Sequence, residues 1–229
     1  MSDIAYQKQI QDYYSKAPAI ILGSGASAAL GVPGMSTLAD HLIHNTDVSD
    51  VAEDERKLWD SFCGLLGSGS DLESALHKVQ MSDNLTKKII LSTWSLINSH
   101  DILIFRRGLL ERDLFPLGRL LKLMFRSSIS TVDIITTNYD RLAEYSCEQE
   151  RLHHFSGFTH GFIRQTADSS EIKIIRKVNV WKVHGSLDWF KTPSGETLGL
   201  LNSEIVPENF EPRIVTPGIQ KYHETHLEP

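Results

Sequence analysis

A short apolar run followed by a glycine-rich turn restricts the possible folds of this chain more than any other stretch. The segment 19–34 reads AIILGSGASAALGVPG, and its first residues are apolar without interruption. Such a run is typical of a parallel strand that is covered on both faces of its sheet. Gly23 and Gly25 favour a tight turn that a ligand can approach closely. The segment therefore predicts a buried strand, a turn and the first turn of a helix.

The start of that helix is a predicted anion site. The backbone N–H groups of Ser24, Ala26 and Ser27 lie where a helix stabilises a negative charge such as that of a pyrophosphate. The pattern G-x-G-x-S lacks the Lys-Ser/Thr ending of a Walker phosphate loop, which argues against an ATPase. It also lacks Gly-x-Ser-x-Gly, which argues against a serine hydrolase. The turn alone is ambiguous, because strand-turn-helix joints without a ligand are common.

Two later stretches also combine an apolar strand with small polar and ionisable residues at its end. They read IITTNYD at 134–140 and VWKVHGSLDW at 180–189. Ligands of open α/β sheets sit beyond the carboxyl ends of the strands, so these three strand ends predict one shared crevice. Each stretch also has a structural alternative. A lone histidine at a strand end is usually structural, and Asn138 with Asp140 is a common helix-cap pair.

The three motifs, in this order along the chain, resemble those of the sirtuin family, and specifically the sirtuin-like domains of bacterial proteins that deplete NAD in anti-phage defence. The resemblance extends from about Ala19 to Gly218. It implies that Asn138 and His184 are the catalytic pair and that the glycine-rich loop carries the NAD phosphates. The NAD-binding residues that it implies are Gly23, Ser24, Gly25, Ala26, Ser27, Thr137, Asn138 and Asp140.

Cleavage of the nicotinamide–ribose bond suits these residue types. Nicotinamide leaves as a neutral base, so the site needs no general acid. It must stabilise an oxocarbenium-like ribose and activate an acceptor. Imidazole titrates near neutral pH, which makes His184 the candidate base. The Asn138 amide both donates and accepts, so it is suited to orient water or the ribose hydroxyls, and Asp140 either holds this loop or faces the ribose.

Three departures from the deacylase sirtuins favour plain NAD hydrolysis. GVPGM at 31–35 replaces a longer cofactor loop, Thr137 stands where deacylases usually have glutamine, and the four-cysteine zinc ribbon is absent. The predicted function is an NAD glycohydrolase of bacterial defence, with NAD as its substrate and no zinc. The alternatives are an NAD-dependent deacylase, an ADP-ribosyl transferase and a non-catalytic nucleotide-binding assembly module.

The predicted fold is α/β, a Rossmann-like parallel sheet with an inserted helical subdomain. Segments 1–35 and 129–229 form the predicted NAD-binding core, and 36–128, largely helical in pattern, is predicted to lie over the cofactor crevice. Family strands that hold the adenosine half of NAD would follow Gly218, so the C-terminal part of the sheet is expected to be missing. Further expectations are a helix within 1–17 packed beneath the first strand, helix caps at Ser36 or Thr37 and at Asp71, and strands at 172–175, 178–183 and 213–216.

Composition sets the remaining expectations. A net charge of −6 argues against direct nucleic-acid binding, and no apolar run approaches the ~18 residues of a membrane span. The polar N-terminus lacks a secretory signal, and two distant cysteines, Cys63 and Cys147, suit a reducing cytoplasm and exclude a four-cysteine zinc site. His153, His154 and His160 lack a carboxylate or cysteine at a standard metal-site spacing. The resemblance implies a homo-oligomer, with an ATPase or a nucleic-acid-sensing protein as a candidate partner.

Overall fold

The fold is that of a computed structural model, which describes residues 3–161, 163–170, 174–201 and 204–216. Its helices are α1 (Asp3–Ser15), α2 (Ser24–Ala28), α3 (Met35–Asn45), α4 (Glu53–Gly67), α5 (Leu72–Lys78), α6 (Asp83–Leu110), α7 (Pro116–Met124) and α8 (Leu142–Gln149). Its strands are β1 (Ile20–Leu22), β2 (Thr131–Thr136), β3 (His154–Phe155), β4 (Ile163–Gln165), β5 (Lys177–Lys182), β6 (Gly185–Lys191), β7 (Thr197–Leu200) and β8 (Glu211–Ile214).

Four of the strands form a parallel sheet in the order β1-β2-β5-β3. This sheet confirms the predicted Rossmann-like α/β fold. Its register pairs Leu22 with Thr136 and Thr136 with Lys182, the last residues of β1, β2 and β5. The three strands that carry the motifs therefore end at the same level, and the residues that follow them begin side by side.

One face of the parallel sheet packs on α7 and α8. Val132 and Ile134 of β2 and Val178 and Val180 of β5 are almost fully buried there, together with Leu121 of α7. The buried apolar residues alternate along each strand, because successive side chains of a strand point to opposite faces. This alternation fixes which face of β2 and β5 meets the helices.

The opposite face is open. Ile21, Ile135 and Trp181 form one row across β1, β2 and β5, and they are 80%, 36% and 41% exposed. The prediction that the first strand is covered on both faces is therefore wrong. The reason is that β1 lies at the edge of the sheet, where the residues that the structure describes leave the Ile21 side chain largely exposed.

Helix α1 forms where the sequence predicts a helix, but its packing differs. Tyr6, Ile10, Tyr13 and Tyr14 recur at helical spacing, and all four side chains are exposed. The prediction that this helix packs beneath the first strand is wrong for the described residues. Three of these four side chains carry a phenolic hydroxyl, which tolerates contact with water.

Strands β6, β7 and β8, which follow His184, form a second sheet together with β4, which precedes it. This sheet is antiparallel, in the order β4-β7-β6-β8, and the sequence analysis does not predict it. Strand β6 begins at Gly185, so the HGSLDW stretch joins the two sheets. Of the predicted strands, 178–183 is confirmed as β5 and 213–216 overlaps β8. The prediction at 172–175 is wrong for Ile174 and Ile175, which lie outside any strand. Residues 172 and 173 lie outside the described ranges.

Helices α3 to α5 and the start of α6 share an apolar core. Leu42, Phe62, Ala75 and Leu85 are its fully buried members. Hydrophobic residues recur along these helices at the spacing of one helix face, which explains why the four helices pack around one centre.

The starts of α3 and α5 test two predicted caps. Asp71 is confirmed, because its Oδ1 accepts a hydrogen bond from the Ser74 N–H at 2.9 Å. The predicted cap at Ser36 or Thr37 is wrong, because α3 already begins at Met35, after an extended Gly34.

Helix α6 connects this helical core to both sheets. Its Trp94 indole N–H donates to the Leu187 carbonyl of β6 at 2.7 Å. Its Asp101 is fully buried and accepts from the Arg141 guanidinium at 2.6 Å and from the Tyr145 hydroxyl at 2.6 Å. The division into a core and a helical insert at 36–128 stays a prediction. Among the described helices, α6 included, none combines the length and apolar character needed to cross a lipid bilayer.

Candidate active site

A cavity of about 250 Å³ lies where β1, β2 and β5 end. Six of the residues predicted for the site line it, and they come from all three motifs: Ser24, Ser27, Thr137, Asn138, Asp140 and His184. Gly23, Gly25 and Ala26 belong to the same turn but do not line the cavity. The structure therefore brings most of the predicted residues to one place, as expected from parallel strands that end together.

Asn138 joins the second motif to the first. Its side-chain amide donates to the carbonyl oxygen of Gly23 and to the hydroxyl of Ser27, each at 2.9 Å. Its backbone N–H donates to the Thr136 hydroxyl at 3.1 Å, and that hydroxyl donates to the carbonyl of Leu22 at 3.1 Å. Because both amide N–H groups are engaged, the atom that Asn138 offers to a ligand is its acceptor, Oδ1.

Ser27 is almost fully buried and also connects Asn138 with Asp140. Burial raises the pKa of the Asp140 carboxyl, while Lys182 and a hydrogen bond from Ser27 oppose the rise. Asp140 Oδ1 also accepts from the backbone N–H of Leu142, the first residue of α8. These contacts support the expectation that Asp140 holds this loop. Asp140 also lines the cavity, so the expectation that it faces the ribose stays a prediction.

His184 reaches the cavity from the end of β5. Its Nδ1 lies 3.3 Å from the carbonyl oxygen of Thr137. A carbonyl oxygen only accepts, so this contact places the ring hydrogen on Nδ1 and the lone pair of a neutral ring on Nε2. In this tautomer Nε2 is the ring atom that is able to accept a proton.

A buried lysine and a buried glutamate lie close together beneath the loop that carries Asn138. The Lys182 ammonium group, with a fully buried side chain, donates to the carbonyl of Asp140 and lies 3.4 Å from Glu144 Oε1. Burial raises the pKa of Glu144 to about 7, although Lys182 opposes the rise. Lys182 is the last residue of β5, two positions before His184. A cation on the strand that leads to His184 therefore stabilises the loop that carries Asn138 and Asp140.

Gly185 is the point at which the chain turns from β5 into β6. Its φ is +79°, and a Cβ atom there would lie 1.9 Å from the carbonyl oxygen of Arg213. The adjacent His184 carbonyl accepts from the Val215 N–H at 2.9 Å, and the Leu187 N–H donates to the Tyr139 carbonyl at 3.1 Å. Only glycine permits both this backbone conformation and this close approach.

The glycine-rich turn has a different geometry from the one predicted. Gly23 has φ −109°, in the extended region, and a Cβ atom at Gly23 or Gly25 would meet no atom within 4 Å. Neither glycine is needed for the backbone turn itself. The Ala26 N–H donates to the Gly23 carbonyl at 3.0 Å, so it is engaged within the turn. The open space beside both glycines is where a ligand is able to approach.

The cavity also contains residues that the sequence analysis missed. Tyr139 lines it and donates its hydroxyl hydrogen to the carbonyl of Val215. Glu73 of α5 lines it from the helical segment, along with Leu38 and Ile97. Burial and the charge of Glu73 both raise the pKa of Tyr139. No local sequence signal marks Glu73, because it meets the three motifs only in the folded chain.

A larger groove of about 1260 Å³ is lined by residues such as Phe158, Trp181 and Trp189. It includes neither Asn138 nor His184 in its lining. The smaller cavity is the candidate active site, because the His184 imidazole and hydrogen-bonding groups of the other two motifs converge there. Within the described ranges, no three histidine, cysteine or acidic side chains group so as to hold a metal ion.

Comparison with known proteins adds one finding. Residues 132–209, about a third of the chain, match the family model of the SIR2-like domain. The match includes Asn138 and His184 but not the glycine-rich loop. It supports a sirtuin-like domain with NAD-related activity. None of the curated proteins matches the chain.

Proposed function

We propose that the chain is an NAD glycohydrolase, which cleaves NAD with water to nicotinamide and ADP-ribose. The observation that carries this proposal is that Asn138 and His184, from neighbouring strand ends, line one cavity with Ser24 and Ser27 of the glycine-rich turn. The family match over the Asn138 and His184 region supports the same chemistry.

In the proposed reaction, water attacks C1′ of the ribose as the bond to nicotinamide breaks. The bonding electrons leave with nicotinamide, whose ring becomes neutral, so no acid is required. His184 Nε2 takes the proton from the attacking water and releases it to solvent. Asn138 Oδ1 accepts a hydrogen bond from that water or from a ribose hydroxyl, because its amide hydrogens are held by Gly23 and Ser27.

The size of the cavity fits part of the substrate. A volume of about 250 Å³ is near the lower limit for small-molecule sites, which is roughly 300 Å³. We assign it to nicotinamide and its ribose, with the phosphates beside the open face of Gly23 and Gly25. The resemblance of the motifs to bacterial NAD-depleting proteins supports a role in anti-phage defence and assembly into a homo-oligomer.

The test is a chromatographic assay of NAD products, made with the complete protein and repeated with candidate partners. We expect nicotinamide and ADP-ribose in equal amounts. Asn138→Ala and His184→Ala should each abolish both products. The matched controls are Asn45→Ala and His44→Ala, exposed positions of α3 outside the cavity, which should leave turnover unchanged.

Each other outcome has a distinct meaning. Unchanged turnover in Asn138→Ala or His184→Ala removes that residue from the mechanism. An O-acylated ADP-ribose, formed only with an acyl-lysine peptide, identifies a deacylase, and ADP-ribosylated protein identifies a transferase. NAD binding by calorimetry without any product identifies a non-catalytic module.

A further inference from the structure

We propose that Lys182 is a positioning residue for NAD cleavage, because its buried ammonium group fixes the loop of Asn138 against the strand that leads to His184. This inference rests on the proposed function, since it relates Lys182 to the reaction at the same site. Lys182 Nζ donates to the carbonyl oxygen of Asp140, two residues after Asn138. The same ammonium group lies 3.4 Å from Glu144 Oε1 of α8.

The place of Lys182 on β5 is one where the strand pattern predicts an apolar residue. Val178, Val180 and Lys182 occupy alternate positions of this strand, and all three are buried. Because alternate residues of a strand share a face, Lys182 continues the row that packs on α7 and α8. An apolar side chain would fill this place without the free-energy cost of taking an ammonium group out of water. Packing alone therefore does not explain the charge.

The segment 182–187 donates to four carbonyl groups of residues 136–140. The pairs, donor first, are Val183 N–H and Thr136 at 3.1 Å, His184 Nδ1 and Thr137 at 3.3 Å, Leu187 N–H and Tyr139 at 3.1 Å, and Lys182 Nζ and Asp140. Asn138 lies among the residues that these bonds hold. A charged donor makes a stronger hydrogen bond than a neutral one, so Lys182 fixes its end of the loop more firmly than a backbone N–H group would.

Lys182 also acts on the side chain of Asp140. Burial raises the pKa of this carboxyl, and the charge of Lys182 opposes the rise. An ionised carboxylate only accepts, so the Ser27 hydroxyl gives its hydrogen to Asp140 and its lone pair to the Asn138 amide. The lysine thus favours the arrangement in which Asn138 offers its Oδ1 to the cavity.

Joint substitution of Lys182 and Glu144 in the complete protein tests this role without leaving Glu144 as a buried carboxylate that has lost its lysine. The parent chain is Glu144→Gln, which keeps the contact of Lys182 with Asp140, and Lys182→Met is added to it. We expect kcat for NAD cleavage, per folded chain, to fall about tenfold or more on this addition, because Asn138 is then misplaced. KM should change by less than about twofold, because the groups that line the cavity are unaltered.

Circular dichroism gives the folded fraction by which kcat is divided. Lys182→Gln in the same parent keeps a neutral donor for the Asp140 carbonyl, so its kcat should lie between those of the parent and the chain with Lys182→Met. The matched control is Lys88→Met on α6, whose ammonium group lies 2.6 Å from Asp50 Oδ1 outside the cavity. It should change neither kcat nor KM.

The outcomes separate this inference from the proposed function. Equal kcat in the parent and in both Lys182 variants, or a loss confined to KM or to the folded fraction, overturns the role of Lys182 and leaves the proposed function intact. A loss already complete in Glu144→Gln also overturns that role, since the effect then belongs to the glutamate. Absence of NAD cleavage in the wild type, under every condition of the product assay, overturns both proposals.

Discussion

Ser27 and Asn138 are hydrogen-bonded side chain to side chain at 2.9 Å, although they belong to different strand ends. The serine hydroxyl accepts from the Asn138 amide and donates toward Asp140, so it fixes the amide and the carboxylate relative to each other. Three residues from two motifs thus form one unit, and Ser27 is its centre.

Substitution of Ser27 by alanine should uncouple this unit. We expect a loss of about 2 kcal/mol in the free energy of unfolding, because two hydrogen bonds of about 1 kcal/mol each are lost. NAD cleavage should fall at least tenfold, because Asn138 then keeps only its bond to Gly23. Urea titration and the product assay measure the two effects. Ser36→Ala, at an exposed position of α3, serves as the control. Full activity in Ser27→Ala would show that Asn138 does not depend on this contact.

Glu144 should make stability depend on pH in a defined direction. Burial raises its pKa from 4.5 to about 7, so between these values the folded chain holds a proton that the unfolded chain has lost. The contribution of Glu144 to stability is therefore complete below the unfolded pKa and is lost as the pH rises toward 7. The free energy of unfolding of the wild type, relative to Glu144→Gln, should fall between pH 5 and pH 8.

Unfolding of both chains in urea at several pH values measures this difference. The groups that act on Glu144 are Lys182, which lowers its pKa, and Asp188 and Asp140, which raise it. The control is Glu53→Gln, at an exposed position of α4, measured in the same way. A flat difference for Glu144→Gln would mean that Glu144 is ionised in the folded chain throughout this range.

Gly185→Ala should lower the free energy of unfolding more than Gly195→Ala does. Gly185 and Gly195 have φ values of +79° and +91°, so alanine is strained at either position, but only at Gly185 would the Cβ atom collide with backbone. We expect Gly195→Ala to cost about 1 kcal/mol and Gly185→Ala well above 2 kcal/mol. Thermal unfolding of the two variants checks this order, and similar losses would contradict the close approach to Arg213.

Asp101→Asn tests how α6 is attached to the core. Asp101 accepts hydrogen bonds from the backbone and guanidinium of Arg141 at 2.7 Å and 2.6 Å in a fully buried position. Loss of its charge takes from the buried Arg141 guanidinium the carboxylate with which it forms an ion pair, so we expect a loss of about 3–5 kcal/mol. The exposed pair of Arg107 and Glu111, 3.1 Å apart, provides the control, and Glu111→Gln should leave the free energy of unfolding nearly unchanged, because solvent screens an exposed pair. Chemical denaturation measures the free energy of unfolding of both variants. Equal losses in Asp101→Asn and Glu111→Gln would contradict the burial of Asp101.

The parts of the fold that the sequence predicts correctly are those with a local signal. Strands β2 and β5 carry apolar residues at alternate positions, and Asp71 is a side chain that commonly caps the start of a helix. The convergence of the three motifs was also predictable, because parallel strands present their carboxyl ends at one edge. The partners of Asn138 were not predictable, since Gly23 and Ser27 lie more than a hundred positions earlier in the chain.

The second sheet was not predicted because β6 lacks the alternation of buried and exposed residues that marks a half-buried strand. Ser186, Leu187, Asp188 and Phe190 are all buried, so polar and apolar residues do not alternate with exposure along this strand. The polar side chains are satisfied by contacts that the sequence does not reveal, such as the Ser186 hydroxyl donating to Asp188 at 2.5 Å. Asp188 in turn pairs with Arg164 of β4. In a sequence, polar residues such as Asp188 and Arg164 predict an exposed position, although both are buried here.

The common level at which Leu22, Thr136 and Lys182 end their strands has a consequence for how this chain tolerates change in length. Removal of one residue within β2 would draw Asn138 back by a single strand step, about 3.3 Å, and turn alternate side chains toward the wrong face. An insertion in a distant surface loop would leave that alignment untouched. Variation in length among natural or engineered versions of this protein should therefore accumulate away from β1, β2 and β5, whose residue counts set the spacing between the glycine-rich turn, Asn138 and His184.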